Sequence, residues 1–275
     1  MDNPLHTSPK IMGILNLTED SFSDGALYLD TAKAIEHASL LIQQGAQIID
    51  LGAESTRPGS LPASPKLEIK RIIPVLQELV KLHPEVIYSI DTRKAPVAQA
   101  AIEAGALMIN DISALRYDPG MPKVLAKHPE VSIVLMHMQG EPQTMQDHPQ
   151  YSDVLCEITA FFSQRIAFCE SQGISRDRLL LDPGIGFGKN LQHNLDIISN
   201  LHYFHSLGLP VVLGASRKSF INAISPTPVA ERLEGSLAAA ACASLSKVQI
   251  VRVHDVLEHK RFLTVFTSLL NASRS

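Results

Sequence analysis

No stretch of the 275-residue chain approaches the roughly 18 consecutive apolar residues that a membrane-crossing helix needs. The start, Met1-Asp2-Asn3-Pro4-Leu5-His6, lacks a basic segment followed by an apolar one, so a secretory leader is not expected and the cytoplasm is the expected compartment. An excess of base is missing too. With 24 Lys and Arg against 28 Asp and Glu, both signs mixed throughout, the net charge is -4 and no cationic stripe is available to displace counterions from nucleic acid. Cysteine is scarce: Cys156, Cys169 and Cys242 are odd in number, show no C-x-x-C spacing and read as reduced thiols on apolar helix faces. No H-E-x-x-H occurs, and the eleven His residues show no zinc spacing.

What is present is apolar material for a sizeable core, 45% of residues against 19% charged, arranged in a regular rhythm. Short apolar runs near 11–15, 47–51, 86–90, 107–109, 131–136, 178–182, 210–213 and 248–251 read as eight strands. They are continuous rather than alternating, as in strands covered on both faces. Helical periodicity fills the intervals near 30–44, 66–82, 94–104, 120–127, 152–172, 192–200, 231–246 and 255–270, with Gly45 and Gly105 at C-terminal positions. Eight β/α units at this length predict an α/β fold, a (β/α)8 TIM barrel of eight parallel strands. No linker or shift in composition divides the chain, so one domain is expected over 1–275.

In such a barrel the loops after the strands build the active site, and every strand end here is polar. Asn16 follows the first strand and opens NLTEDSFSDG; GAESTRPGS follows the second. The third runs into Asp91, the fourth into Asn110 and Asp111, the fifth into His137, and the sixth delivers Asp182. The seventh delivers Ser216, Arg217 and Lys218, and the eighth Arg252 and His254. Singly these have plain explanations. Asp91 could cap the helix that begins near Lys94, Asp182-Pro183-Gly184 could be a turn, and His137 between two Met residues could be packed in the core. Independent caps and turns give no reason for carboxylates, Asn amides and cations to converge on one mouth.

The cations beside Ser216 could serve a phosphate, a carboxylate, a carbonyl forming a Schiff base with Lys218, or water. A Walker A loop would need Gly at 183 and Ser or Thr at 190, where Pro183 and Asn190 stand. In GIGFGK the third Gly comes one residue too soon for a dinucleotide fingerprint. GASRK lacks the second Gly of a nucleophile elbow. Schiff-base chemistry on Lys218 stays open.

Nine strings in order resemble the dihydropteroate synthase family of folate biosynthesis. They are GILNLTEDSFSDG at 13–25, IIDLGAESTRPGS at 48–60, SIDTRK at 89–94, AGALMINDIS at 104–113, LMHMQG at 135–140, LLLDPGIGFGK at 179–189, GASRKSFI at 214–221, GSLAAAACA at 235–243 and VRVHDV at 251–256. The resemblance implies that 4-aminobenzoate displaces diphosphate from (7,8-dihydropterin-6-yl)methyl diphosphate, giving 7,8-dihydropteroate. It further implies a (β/α)8 barrel, Mg2+, a homodimer and sensitivity to sulfonamides.

Carried onto this chain, the resemblance gives Asp182 and Asn110 the amino-pyrimidinone edge of the pterin and Lys218 its ring carbonyl and a ring nitrogen. Arg252 would lie flat over the ring, a task Lys cannot copy. Arg252 and His254, with Asn16 holding Mg2+, would receive the diphosphate, and Asp91 would stabilise a cationic pterin methylene formed in an SN1-like step. Thr56, which is also assigned to the pterin diphosphate, joins Arg57, Pro58, Phe22, Phe187 and Ser219 in the 4-aminobenzoate pocket. Segments 17–25 and 54–60 would close over the cation and exclude water. Arg217 is expected to form a structural ion pair only.

Two positions depart from the family pattern: Glu19 stands where Pro is usual, and Ala26 where a second Gly is usual. Glu19 removes a φ constraint and adds a charge beside the first loop. Two rival readings follow. A methyltetrahydrofolate:corrinoid methyltransferase shares a pterin-binding barrel but should lack the paired loops and the SRKS and RVHD strings. A non-catalytic pterin-binding protein would have kept the pocket and lost turnover.

Overall fold

In the computed structural model, residues 7–18, 27–54 and 62–272 are described. Eight strands, β1 Lys10–Asn16, β2 Ile48–Gly52, β3 Ile87–Asp91, β4 Met108–Asp111, β5 Ser132–Met136, β6 Leu179–Asp182, β7 Val212–Leu213 and β8 Ile250–Val253, pair in parallel. Among them run α1 Leu27–Gln43, α2 Pro65–Leu82, α3 Ala95–Glu103, α4 Met121–Ala126, α5 Val154–Ser171, α6 Leu191–Ser199, α7 Ser219–Ile224, α8 Leu233–Leu245 and α9 Val256–Ala272. The sheet runs β6-β5-β4-β3-β2-β1-β8-β7. It closes into a barrel through a parallel bridge from Leu181 to Val211, next to which the Leu181 amide donates to the Pro210 carbonyl at 2.9 Å.

The expected strand positions hold to within about two residues, and the seventh is the shortest. It was expected over 210–213, but Pro210 has no N–H to add to a ladder, and the Val211 amide donates instead to the Gln249 side chain at 2.6 Å. None of the intervals of helical periodicity covered the six-residue α7. Local chemistry sets other boundaries. Ser64 accepts from the Leu67 amide to start α2, with Pro65 at the first helical position; Asp153 accepts from Leu155 and Cys156 to start α5.

Two apolar layers divide the work of each strand. Outward residues such as Ile49, Leu51, Ile90, Ile109, Ile133 and Leu181 pack under the helices in the main core. The inner layer takes one residue from each strand: Met12, Ile48, Met108, Val134, Leu180, Val212 and Ile250, with Ile87 packed against them. This plug makes the barrel interior solid rather than a pore. The thiols divide differently from expectation: Cys169 is buried, Cys242 half-buried and Cys156 exposed. The face of α5 carrying Cys156 looks outward, so its apolar sequence neighbours had misplaced it. Among the described residues no helix is long and apolar enough to cross a membrane.

Candidate active site

Side chains two residues apart on a strand share a face, so the plug determines what lies above it. One step beyond the plug residues of β2, β3, β4, β6 and β8 come Asp50, Ser89, Asn110, Asp182 and Arg252. A second step reaches Asn16 on β1, Asp91 on β3, and His254 just past β8, at the rim. The polar ends expected from the sequence therefore do converge on one mouth, the C-terminal one, directly above an apolar floor.

Within this layer the charges are tied together. Asp50 is fully buried, and its Oδ2 accepts from Arg252 Nε at 2.6 Å and from Asn110 Nδ2 at 3.2 Å. Arg252 also donates an Nη2 proton to Asp91 Oδ2 at 2.9 Å. The second oxygen of Asp50 and the amide oxygen of Asn110 are buried and accept no hydrogen bond from any described residue. Burial pushes the Asp91 carboxyl up to about 7; the Arg252 guanidinium opposes that rise, and the carboxylates of Asp50, Glu68 and Asp111 add to it. Burial would depress Arg252, but Asp50 and Asp91 outweigh it and hold the guanidinium above its ordinary value.

Asp91 does not cap α3. Lys94 occupies the cap position with no side-chain capping bond, and the Ala95 amide donates to Asp118 at 2.8 Å instead. Asp182 proves to be both turn and site: its Oδ1 accepts from the Gly184 amide at 2.8 Å, while burial raises its pKa against the pull of Lys218. Gly184 and Gly188 sit at φ 68° and 64°, where a Cβ would overlap the carbonyl oxygens of His137 and Gln139. The resulting tight course of 184–188 brings the Ile185 carbonyl onto Lys218 Nζ and sets the Phe187 ring centroid 4.5 Å from that ammonium. Burial lowers Lys218 to about 8, with Asp182 the main opposing influence. Phe187 itself packs on Ile112, Met136, Met138 and Met145.

His254 Nδ1 lies 3.1 Å from Ser216 Oγ, and its pKa falls to about 4 through burial and then through Arg252 and Arg217. Such an imidazole is neutral at neutral pH and offers hydrogen bonds rather than charge. His137 is the packed histidine that its sequence setting suggested. It meets Phe161 edge-on at 4.8 Å, and burial, then Lys189, lowers it to about 2. Arg217 pairs with Asp255, as expected. Asp111, the neighbour of Asn110, points to the opposite face and accepts from Ser113 and Leu115. Ser219 begins α7 on the surface. Phe22, Thr56, Arg57 and Pro58 lie outside the described residues.

The stem of the second long segment is described and strongly tied. Lys94 Nζ donates to Glu54, to Glu68 and, at 2.8 Å, to the Ala63 carbonyl, while the Ala63 amide donates to Glu54 at 3.1 Å. Arg93 pairs with the other oxygen of Glu54 at 3.2 Å and stacks on Tyr117. Residues flanking 55–61 are thus clamped to the end of β3. Sequence reasoning missed Asp50, this Lys94 clamp and Lys189, whose Nζ lies 3.0 Å from His137 Nδ1 and donates to the Phe187 carbonyl at 3.0 Å. Asp50 had a signal, a carboxylate inside the apolar run Ile48-Ile49-Asp50-Leu51; the partners of Lys94 and Lys189 are set by the tertiary fold.

Asn16 stands exposed at the end of β1. Among the described residues there is no group of three or more His, Cys, Asp or Glu arranged to hold a metal. A single neutral oxygen donor suits Mg2+, which keeps several waters and takes most of its remaining ligands from substrate phosphates.

The family described as pterin binding enzyme matches residues 12–254. The chain is 45% identical over 267 residues to dihydropteroate synthase of Escherichia coli K12, covering 97% of this chain and 94% of that protein. It superposes on the Yersinia pestis dihydropteroate synthase in a sulfonamide drug complex with a TM-score of 0.90 at 41% identity, covering 96% of this chain and 94% of the other. On the Xanthomonas albilineans enzyme with 4-aminobenzoic acid the TM-score is 0.89 at 40% identity, covering 96% and 93%.

Proposed function

The chain belongs to the pterin-binding enzyme family, and from that membership we infer that its reaction is dihydropteroate synthesis in the folate pathway. The substrates are (7,8-dihydropterin-6-yl)methyl diphosphate and 4-aminobenzoate; the products are 7,8-dihydropteroate and diphosphate. One observation carries the assignment of the pterin to this mouth. Above the apolar plug, the carboxylate of Asp182 and the donorless amide oxygen of Asn110 offer acceptors, with the Lys218 ammonium and the Arg252 guanidinium beside them. A flat heterocycle whose edge is rich in N–H groups matches that set, its faces lying against Met and Phe side chains.

In this reading the C–O bond of the pterin methylene breaks first, its electron pair leaving with the diphosphate. Arg252 and His254 bind the departing oxygens, His254 as a neutral donor and Arg252 as a fixed cation. Asp91, on the same rim, stabilises the positive methylene left behind. The aniline nitrogen then forms the C–N bond and loses a proton. Mg2+ bound through Asn16 would neutralise charge on the diphosphate. Thr56, Arg57, Pro58, Phe22, Phe187 and Ser219 would form the 4-aminobenzoate pocket, where sulfonamides would compete. A cytoplasmic homodimer completes the proposal; exposed Leu245 on α8 and exposed Val265 and Leu269 on α9 offer apolar surface for a second copy.

The test is turnover. Protein incubated with pterin diphosphate, 4-aminobenzoate and Mg2+ is expected to yield dihydropteroate and diphosphate in equal amounts. Pterin binding without product would favour a non-catalytic binder, and methyl transfer from methyltetrahydrofolate to a corrinoid would replace the assignment outright.

A further inference from the structure

Asp50 has no step of its own in the reaction, yet it bonds two other groups of the polar layer, Arg252 and Asn110. It is fully buried on β2 and faces the barrel interior one step above the plug residue Ile48. Its Oδ2 receives both Arg252 Nε and Asn110 Nδ2, so a single oxygen ties β2 to β8 and to β4. We propose that Asp50 is a positioning residue for the condensation: it anchors Arg252 by its inner nitrogen and orients Asn110, keeping both fit to receive the pterin. The proposal rests on the assignment of dihydropteroate synthesis to this mouth.

Arg252 divides its donors between two carboxylates. Nε is held by Asp50 at 2.6 Å and an outer nitrogen by Asp91 at 2.9 Å. An Arg anchored at Nε by a carboxylate that never leaves can release its outer nitrogens to an arriving anion without losing its place. Asp91 is then uncovered when substrate binds, as cation stabilisation requires. Without the Asp50 charge, Asp91 is the remaining carboxylate bonded to Arg252 among the described residues, and the guanidinium would settle on it. Asn110 is treated in parallel. Because its Nδ2 donates to Asp50, its Oδ1 is turned away as a free acceptor, the orientation that meets pterin N–H groups.

The charges acting on Asp91 come from Asp50 on β2, Arg252 on β8, Asp111 on β4, Glu68 on α2 and Lys218 at the start of α7. Replacing Asp50 with a neutral group of the same shape removes one repelling charge and frees Arg252 to pair more fully with Asp91. Both changes make Asp91 more acidic.

The experiment compares wild type with Asp50→Asn across pH, using full-length protein with Mg2+ and both substrates. The expected result is a fall in kcat/KM for pterin diphosphate of about 10- to 100-fold, the range for losing a hydrogen bond to a charged group. KM for 4-aminobenzoate should stay within about threefold, and the acid limb of the profile should move to lower pH. Wild-type kinetics with an unmoved limb would overturn the proposal. Lost activity with an unmoved limb would also overturn it, marking Asp50 as structural only. Failure of the wild type itself to form dihydropteroate would instead sink the functional assignment.

A second measurement needs no variant. The Arg252 Nε–H proton in the NMR spectrum of wild-type protein should be protected from solvent exchange both free and with bound pterin diphosphate. Loss of that protection on binding would contradict a permanent anchor.

Discussion

At the scale of single residues, the site depends on a period of two. Ile48, Asp50 and Gly52 share the inner face of β2, and Ile87, Ser89 and Asp91 that of β3; each strand trades an apolar residue in the plug for polar ones above it. On the proposed function Asp182 and Lys218 bond the pterin edge, so Asp182→Ala or Lys218→Ala should weaken pterin binding about 10- to 100-fold, read by calorimetry. Affinity within threefold of wild type would remove that residue from the edge. In the proposed role Asp91 must be ionised to stabilise a cation, and burial pushes its carboxyl up to about 7, so kcat/KM should fall as pH drops below about 7. Asp91→Asn should abolish that acid limb and lower kcat while leaving pterin affinity largely intact; normal turnover would refute its role. Most of these side chains were legible in the sequence because each sits at the end of an apolar run. Asp50 was not, since it lies inside such a run and only the register of β2 shows that it turns inward.

At the scale of elements, strand ends were readable to within a couple of residues, and the shortness of β7 has a physical cause. Pro210 cannot extend β7. What the sequence pattern could not show is how a long loop is tethered, because the partners come from three elements. Glu54 follows β2, Glu68 lies on α2, and Lys94 joins β3 to α3. Burial pushes the Glu68 carboxyl up and Lys94 holds it down, so the ammonium is what keeps two carboxylates compatible there. Lys94→Met should therefore cost about 3–5 kcal/mol of stability in urea unfolding, the usual consequence of leaving buried charge uncompensated. It should also raise KM for 4-aminobenzoate, because the segment carrying Thr56, Arg57 and Pro58 loses its stem. A variant as stable as wild type with an unchanged KM would show the clamp to be idle.

At the scale of the whole molecule, the rhythm of eight β/α units was enough to anticipate the barrel, but not where its wall is thinnest. That place is the seam between β6 and β7, where a single bridge joins Leu181 and Val211, whereas β1 and β2 share a five-residue register. In native-state hydrogen exchange the amides of Val212 and Leu213 should exchange sooner than those of Ile49 to Leu51; equal protection would mean the seam is as strong as the rest of the wall. The proposed function requires that one mouth of this barrel, floored by the Met12 and Ile48 layer, seat the pterin and direct its diphosphate outward. The direct test is a crystal structure with (7,8-dihydropterin-6-yl)methyl diphosphate and Mg2+. The ring should lie over that floor with its N–H edge on Asp182 and Asn110 and the diphosphate near Asn16 and His254. Pterin found at the opposite end of the barrel, or seated with that edge away from Asp182, would contradict it.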